Sequence, residues 1–354
     1  MIRAAIFGAA GYGGVELVRL LLDHPEVEVT YIAGHTTAGQ KLSDMYPSML
    51  HAAGADGDIV GDMPIEDTDI EVACQQADFM FLALPHLVGV PLTQRALELG
   101  KKVVDFSADY RLKSLEKFEH YYDMHTAPEL IAQAVYGLPE LHRKEIAATQ
   151  LCAVPGCYPT SAILALAPAM KAGILDPKSL IADSKSGVSG AGRSKLTLGT
   201  HFAEVNESVC AYNIAGKHRH TPEIEQELSL FGQEAIVSFT PHLIPITRGI
   251  LTAAYGTIVT DAKPGEVYDL YRDFYANEPF VRVLEPAHLP ATKHVAGSNY
   301  CHLGLAVDTR TNRLIVISVI DNLIKGLSGA AVQCMNLMCG FGETTALTRP
   351  AMWP

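Results

Sequence analysis

Ile2-Arg3-Ala4-Ala5-Ile6-Phe7-Gly8-Ala9-Ala10-Gly11-Tyr12-Gly13-Gly14 opens the chain with an apolar strand that runs straight into a glycine-rich turn. The residues that follow, Gly13–Leu22, carry the apolar spacing of a helix. Glycines at 8, 11 and 14 allow a tight turn and let backbone approach a pyrophosphate at the helix N-terminus, where N–H groups favour anions. Alone, such a pattern also describes an ordinary glycine turn. Its place between a strand and a helix points instead to a dinucleotide site made by Gly8, Gly11, Tyr12, Gly13 and Gly14.

Outward from this turn, short apolar runs alternate with helical patterns. Val27–Ala33, Phe79–Leu84 and Val103–Phe106 read as buried strands, and Val90–Leu99 as a helix. The alternation predicts an α/β fold: a Rossmann-type parallel sheet with helices on both faces. A site specific for NAD places Asp or Glu about 20 residues beyond the glycines, on the ribose 2′-hydroxyl. Residues 34–41 contain no carboxylate but do contain Thr36, Thr37 and Lys41. Hydroxyls and a lysine suit a 2′-phosphate, so the expected cofactor is NADP(H); the alternative is a polar loop that touches nothing.

Size and charge bound the rest. At 354 residues the chain is long for one core, which favours two domains. A net charge of −12 without a basic run argues against nucleic acid, while clustered arginines can still bind a small anion. Seven cysteines without a C-x-x-C pair suggest reduced thiols and a cytoplasmic setting, with Cys334 and Cys339 in a core helix. No charged leader with an apolar core opens the sequence, and no run of 18 apolar residues suggests a membrane span.

Beyond residue 157 the texture changes. Lys178–Ser184, Ala235–Phe239, Gly249–Thr260, His302–Val307 and Leu314–Ile320 read as strands, the last two joined by a hairpin turn over Thr309–Asn312. Pro222–Leu230 and Gly265–Tyr275 read as helices, and Gly326–Gly340 as a closing apolar helix. Many strands and few helices predict an α+β domain on a mainly antiparallel sheet.

The chemistry-bearing segment is Ala153-Val154-Pro155-Gly156-Cys157-Tyr158-Pro159-Thr160-Ser161. Two prolines stiffen a turn that presents Cys157 at the start of the apolar run Ala162–Leu166, where a helix N-terminus favours a thiolate. The bland reading is a buried inert thiol. Pro168 should kink or end that helix. Candidate bases lie in Gly216-Lys217-His218-Arg219-His220-Thr221-Pro222-Glu223, with both histidines just ahead of a helix start at Thr221 and Pro222. Surface or structural roles are the alternative. A metal site of Cys157, His218 and His220 lacks a clear fourth ligand, so no metal is expected. Three candidate anion sites complete the set. The loop Ser186-Gly187-Val188-Ser189-Gly190-Ala191-Gly192-Arg193 could cradle a phosphate through backbone N–H groups or be a flexible turn. Arg111 and Arg248 each divide evenly between ligand binding and a structural ion pair.

Together these segments, with Tyr136-Gly137-Leu138-Pro139-Glu140, resemble the N-acetyl-gamma-glutamyl-phosphate reductase family over nearly the whole chain. Asp321-Asn322-Leu323-Ile324-Lys325-Gly326 is similar to a segment of the related aspartate-semialdehyde dehydrogenases. One departure is Ser161, where alanine or glycine is more usual. The resemblance implies a Rossmann domain over 1–154 completed by 326–354, and a catalytic and oligomerisation α+β domain over 155–325. It implies NADP(H), a small acyl-phosphate substrate and a homodimer or homotetramer. It also implies that Cys157 attacks the acyl phosphate to give a thioester, which is then reduced to a semialdehyde. By resemblance His218 is the first choice for the acid and base and His220 the second. Asn322 then lies near the nicotinamide, with Ser186 and Gly187 on the cofactor side. Glu223, Arg111, Ser189, Arg193 and Arg248 help to place substrate.

Three rivals remain at this point. A related reductase would act on aspartyl phosphate or on a carrier-linked acyl phosphate; a Rossmann-type sensor would bind nucleotide without turnover; a cysteine hydrolase would leave the nucleotide motif unused.

Overall fold

The computed structural model describes residues 1–55, 57–194 and 197–353. It divides into two compact units: Met1–Pro155 with Gly192–Ser194 and Leu327–Arg349, and Gly156–Ala191 with Lys195–Gly326 and Pro350–Pro354.

The first unit begins with β1 (Ile2–Phe7), α1 (Tyr12–Leu21) and β2 (Val27–Ala33), followed by the short α2 (Leu42–Met45). Next come α3 (Ile70–Gln76), β3 (Phe79–Leu82), α4 (Val90–Glu98) and β4 (Lys102–Asp105). The unit continues through α5 (Leu115–Tyr121), α6 (Glu129–Gln133), β5 (Val135–Tyr136), α7 (Pro139–Ala148) and β6 (Leu151–Ala153). All six strands are parallel, in the order β2-β1-β3-β4-β6-β5. Their runs of fully buried residues, such as Phe79–Leu82, are what a sheet covered on both faces requires. The winding direction changes between β1 and β3, and the glycine turn leaves the carboxyl end of β1 at that point, where open α/β sheets bind ligands.

The second unit opens with α8 (Cys157–Lys171), β7 (Leu180–Ser186), α9 (Phe202–Val205), β8 (Cys210–Ala211), α10 (Thr221–Ser229) and β9 (Val237–Leu243). It continues with β10 (Ile250–Thr257), α11 (Pro264–Phe274), β11 (Val281–Val283), β12 (Cys301–Asp308) and β13 (Arg313–Ile320). The sheet order is β11-β12-β13-β10-β7-β9-β8, mostly antiparallel, with parallel pairs at β7/β9 and β11/β12. A π-helical turn over Ile324–Ser328 then leads into α12 (Gly329–Cys339), which packs on α7 and α1 in the first unit.

Helix α8 is apolar on every side, so it is buried almost throughout, against β10, β13, α10 and α11. Pro168 does not end it; the helix continues to Lys171. The proline supplies no N–H to the Leu164 carbonyl, and that carbonyl accepts instead from the Tyr275 hydroxyl at 2.6 Å. Tyr271 donates likewise to Ala165 at 2.7 Å. The unusual Ser161 donates to Ser318 at 3.0 Å, on the face of β13 that meets α8.

Candidate active site

In the first unit the glycine turn is closed by contact. Gly8 adopts φ +82°, and a Cβ there would come within 2.2 Å of the Ala83 carbonyl oxygen. A Cβ at Gly14 would sit 2.2 Å from the Gly8 carbonyl oxygen. Only glycine lets the first turn of α1 seat this closely on the strand end. Helix α1 has Gly11 as N-cap, no side-chain cap and no acidic residue in its first turn. Its leading N–H groups are therefore left to an anion, which fits a dinucleotide pyrophosphate.

At the end of β2, Thr36 is exposed and Thr37 donates to the Gly34 carbonyl at 3.3 Å. The sequence window there lacks a carboxylate, yet folding supplies one: Glu66 bridges Ala33, and Asp67 lies 3.3 Å from His35. No local spacing signals that approach. Arg193, expected beside substrate, lies on the glycine turn. Its guanidinium is 3.4 Å from the Ala10 carbonyl on the glycine turn and 5.1 Å above the Tyr46 ring, and the Tyr46 hydroxyl donates to the same carbonyl.

Arg111 is buried after β4 and donates to the Phe106 carbonyl at 2.7 Å. Around it lie Asp105, Ser107 and Asp109, with the Ser107 hydroxyl donating to Asp105 at 2.5 Å. Burial, then the neighbouring Asp109, push the Asp105 carboxyl up to about 7.

In the second unit Cys157 is the first residue of α8, half-buried, with Gly156 as N-cap. Pro159 has no N–H, so Cys157 and Tyr158 carry the leading donors of that helix. Gly326 closes against the thiol residue, where a Cβ would come 2.8 Å from that of Cys157. Helix α10 brings the base candidates. The His220 ring packs on Gly156 so closely that a Cβ there would be 2.6 Å from Nε2. His218 lies one layer behind, its Nδ1 accepting from the His220 N–H at 3.0 Å and its ring 4.7 Å from that of His220. The backbone donor makes Nδ1 an acceptor and so fixes the Nε2–H tautomer. Burial, reinforced by Arg219, lowers His218 to about 4. Of the two rings, His220 is the one packed on the residue before the thiol.

Two tyrosines escaped the sequence reading. Tyr158 donates to the His242 carbonyl and Tyr212 donates to Tyr158, each at 3.1 Å, with both rings near His218. Burial pushes Tyr212 up to about 12 and Tyr158 higher still, so both remain protonated hydroxyls. Their one sequence signal is adjacency: Tyr158 follows the cysteine, and Tyr212 shortly precedes the histidines.

The serine- and glycine-rich loop opens with N–H groups already bonded within the protein. The N–H groups of Gly187, Val188 and Ser189 donate to the carbonyls of Gly249, Ile246 and Thr247. Ser186 donates to the Gly187 carbonyl, and Ser189 accepts from the amide of Asn322 at 3.0 Å. Asn322 in turn accepts from the Gly249 N–H at 2.7 Å. Arg248 lies 3.6 Å from the buried Asp321. Among the described residues, no group of three or more His, Cys, Asp or Glu could hold a metal ion, all seven cysteines are free, and no helix is long and apolar enough to cross a membrane.

Family models match both parts: the semialdehyde dehydrogenase NAD binding domain over residues 3–149 and the dimerisation domain over 157–322. N-acetyl-gamma-glutamyl-phosphate reductase of Desulfotalea psychrophila is 49% identical over 355 residues, covering 100% of both chains. That of Moorella thermoacetica is 51% identical over 356 residues, again covering 100% of both. The chain belongs to the N-acetyl-gamma-glutamyl-phosphate reductase family. The chain thus carries an NAD(P)-binding domain and a dimerisation domain. At the level of fold alone it is similar to aspartate semialdehyde dehydrogenase II of Vibrio cholerae, with TM-score 0.72, 17% identity, and 96% and 98% of the two chains covered. The Candida albicans aspartate semialdehyde dehydrogenase solved with NADP gives 0.70 and 16%, with the same coverage.

Burial of histidines weakens the fold as the pH falls. His218 and His302 are each lowered to about 4, and His24 is also lowered, in every case chiefly by desolvation. Their unfolded value is about 6.5, so below that pH the unfolded chain binds more protons. Their stabilisation is complete above pH 6.5 and is lost as the pH falls towards 4. For His218 the loss is roughly 2–3 kcal/mol after allowing for partial exposure. Asp105, with its raised value, acts in the opposite sense, favouring the fold more at low pH. The urea midpoint is therefore expected to fall between pH 6.5 and 4.5, and His302→Gln to flatten that fall. A midpoint independent of pH over this range contradicts the assignment.

Proposed function

We propose that the chain reduces N-acetyl-L-glutamyl 5-phosphate to N-acetyl-L-glutamate 5-semialdehyde and phosphate, in arginine biosynthesis, through a thioester on Cys157. The observation that carries this reading is the thiol on the first turn of a buried helix, with the His220 ring packed on the residue before it. The Cys157 sulfur attacks the acyl carbon; the C–S bond forms and the C–O bond to phosphate breaks. His220 takes the thiol proton and gives one to the departing phosphate. NADPH, when bound, supplies the hydride that reduces the thioester carbon. The N–H groups leading α8 hold the resulting oxyanion, a contact commonly worth ~3 kcal/mol. Collapse breaks the C–S bond, frees the aldehyde and leaves a thiolate that solvent reprotonates by way of His220.

The preference for NADP(H) rests on the missing carboxylate at 34–41, the hydroxyls of Thr36 and Thr37, and the cation Arg193 on the glycine turn. The His35–Asp67 pair works against it, so the kcat/KM ratio for the two cofactors is the direct measure. A homodimer or homotetramer is supported by the face of the second sheet away from α8. There Ile181, Leu251, Tyr255, Ile315 and Ile317 remain half-buried in one continuous register.

The deciding experiment is the reverse reaction, with N-acetylglutamate semialdehyde, phosphate and NADP, against aspartate semialdehyde as control. Turnover with the acetylated aldehyde alone supports the proposal; turnover with neither, or only with the control, overturns it. Within it, His220→Asn is expected to lose about 10²–10³ in kcat, and His218→Asn roughly tenfold through a displaced neighbour. Equal small losses remove both from the chemistry.

A further inference from the structure

We propose that Glu223 is a positioning residue for the nucleophile turn and not a ligand of the substrate. This deepens the reading of Cys157 as nucleophile and rests on it. The Glu223 Oε1 accepts from the Gly156 backbone N–H at 2.7 Å, and the side chain is 1% exposed. Gly156 is the N-cap of α8, with an extended backbone at φ −63°, ψ 149°, so its N–H belongs to the approach to the helix and not to its ladder. A carboxylate on a backbone N–H makes a bond about twice as strong as a neutral pair.

Glu223 is the third residue of α10, where an acidic side chain commonly turns back to cap its own helix. Here it reaches outward to the other helix. His220, three positions earlier, shares its face of α10 and lays its ring on the same glycine. One helical turn therefore grips one residue twice, by a charged hydrogen bond and by a ring against a bare Cα. The residue gripped immediately precedes the thiol. Releasing one grip lets thiol and imidazole drift apart, and a 1 Å misplacement of reacting groups costs about 10²-fold in rate.

The test uses the full-length protein with Glu223→Ala and Glu223→Gln. The glutamine keeps an acceptor oxygen of the same reach and removes the charge. Expected are a kcat lowered about 10²-fold in the alanine variant, partial rescue to about tenfold below wild type in the glutamine variant, and KM within threefold in both. In the glutamine variant the pH midpoint of Cys157 alkylation moves down, because a negative charge near the thiolate is gone. A KM raised tenfold with kcat and alkylation profile unchanged identifies a substrate ligand and overturns the proposal. Unchanged values throughout also overturn it. Should Glu223→Ala not fold, Glu223→Gln decides the matter alone, with its thermal midpoint as the control for folding. Alkylation is read without substrate, so the clamp is judged even if the acetylated aldehyde proves not to be turned over.

Discussion

Cys157→Ala is expected to lower semialdehyde oxidation by at least about 10⁴-fold while changing the dissociation constant for NADP by less than threefold. The separation follows from where each function is built. The glycine turn is held by backbone contacts of Gly8 and Gly14 within the first unit, none of which involves the cysteine. The cysteine lies on the first turn of α8 in the second unit, where its side chain is half-exposed while thirteen successive residues behind it are buried. Removing one sulfur there leaves the helix seated and deletes only the nucleophile. Nucleotide binding followed by fluorescence or calorimetry, with steady-state assays in both directions, checks both halves. Retained turnover in the alanine variant would rule out the thioester.

Gly156→Ala is expected to lower kcat by about 10²–10³ through a single added methyl group. That Cβ would come 2.6, 2.8 and 3.0 Å from Nε2, Cε1 and Cδ2 of His220, which is overlap with the face of the ring and not with a flexible tip. Either the imidazole swings out or the turn retreats, and each outcome parts base from thiol. The backbone at 156 is extended, so alanine adopts it without strain and the effect isolates the collision. The diagnostic is the double variant: with His220 already alanine, Gly156→Ala should add almost nothing, giving a large coupling energy in the cycle. Additive losses would show that the methyl group acts on something other than the ring.

How much of this was legible in the sequence depended on how far apart the interacting residues lie. The strand, glycine turn and helix over residues 2–21 are local, and so is the cysteine ahead of an apolar helix; both were readable because spacing alone dictates them. The hairpin over β12 and β13 was readable for the same reason. Which of the two histidine rings packs on the thiol turn is not local. It depends on α10 docking against α8, a contact between residues 64 positions apart at Gly156 and His220, which no periodicity encodes. The place of Arg193 is not local either, since its loop reads as one glycine- and serine-rich string. In space the N–H groups that open it bond carbonyls of residues 246–249, while Arg193 belongs to the first unit and lies on the glycine turn there. Asp67 was missed because the carboxylate beside β2 arrives from a neighbouring segment and not from the expected window.

The discontinuity of the first unit governs the order in which a newly made chain can mature. Helix α12 packs on α7 and α1, Asn336 bonds the buried His24, and Glu343 pairs with Arg143. Helix α12, Asn336 and Glu343 all follow the strands of the second unit in chain order. The amino-terminal sheet is therefore synthesised well before these covering groups, and through that interval it lacks them.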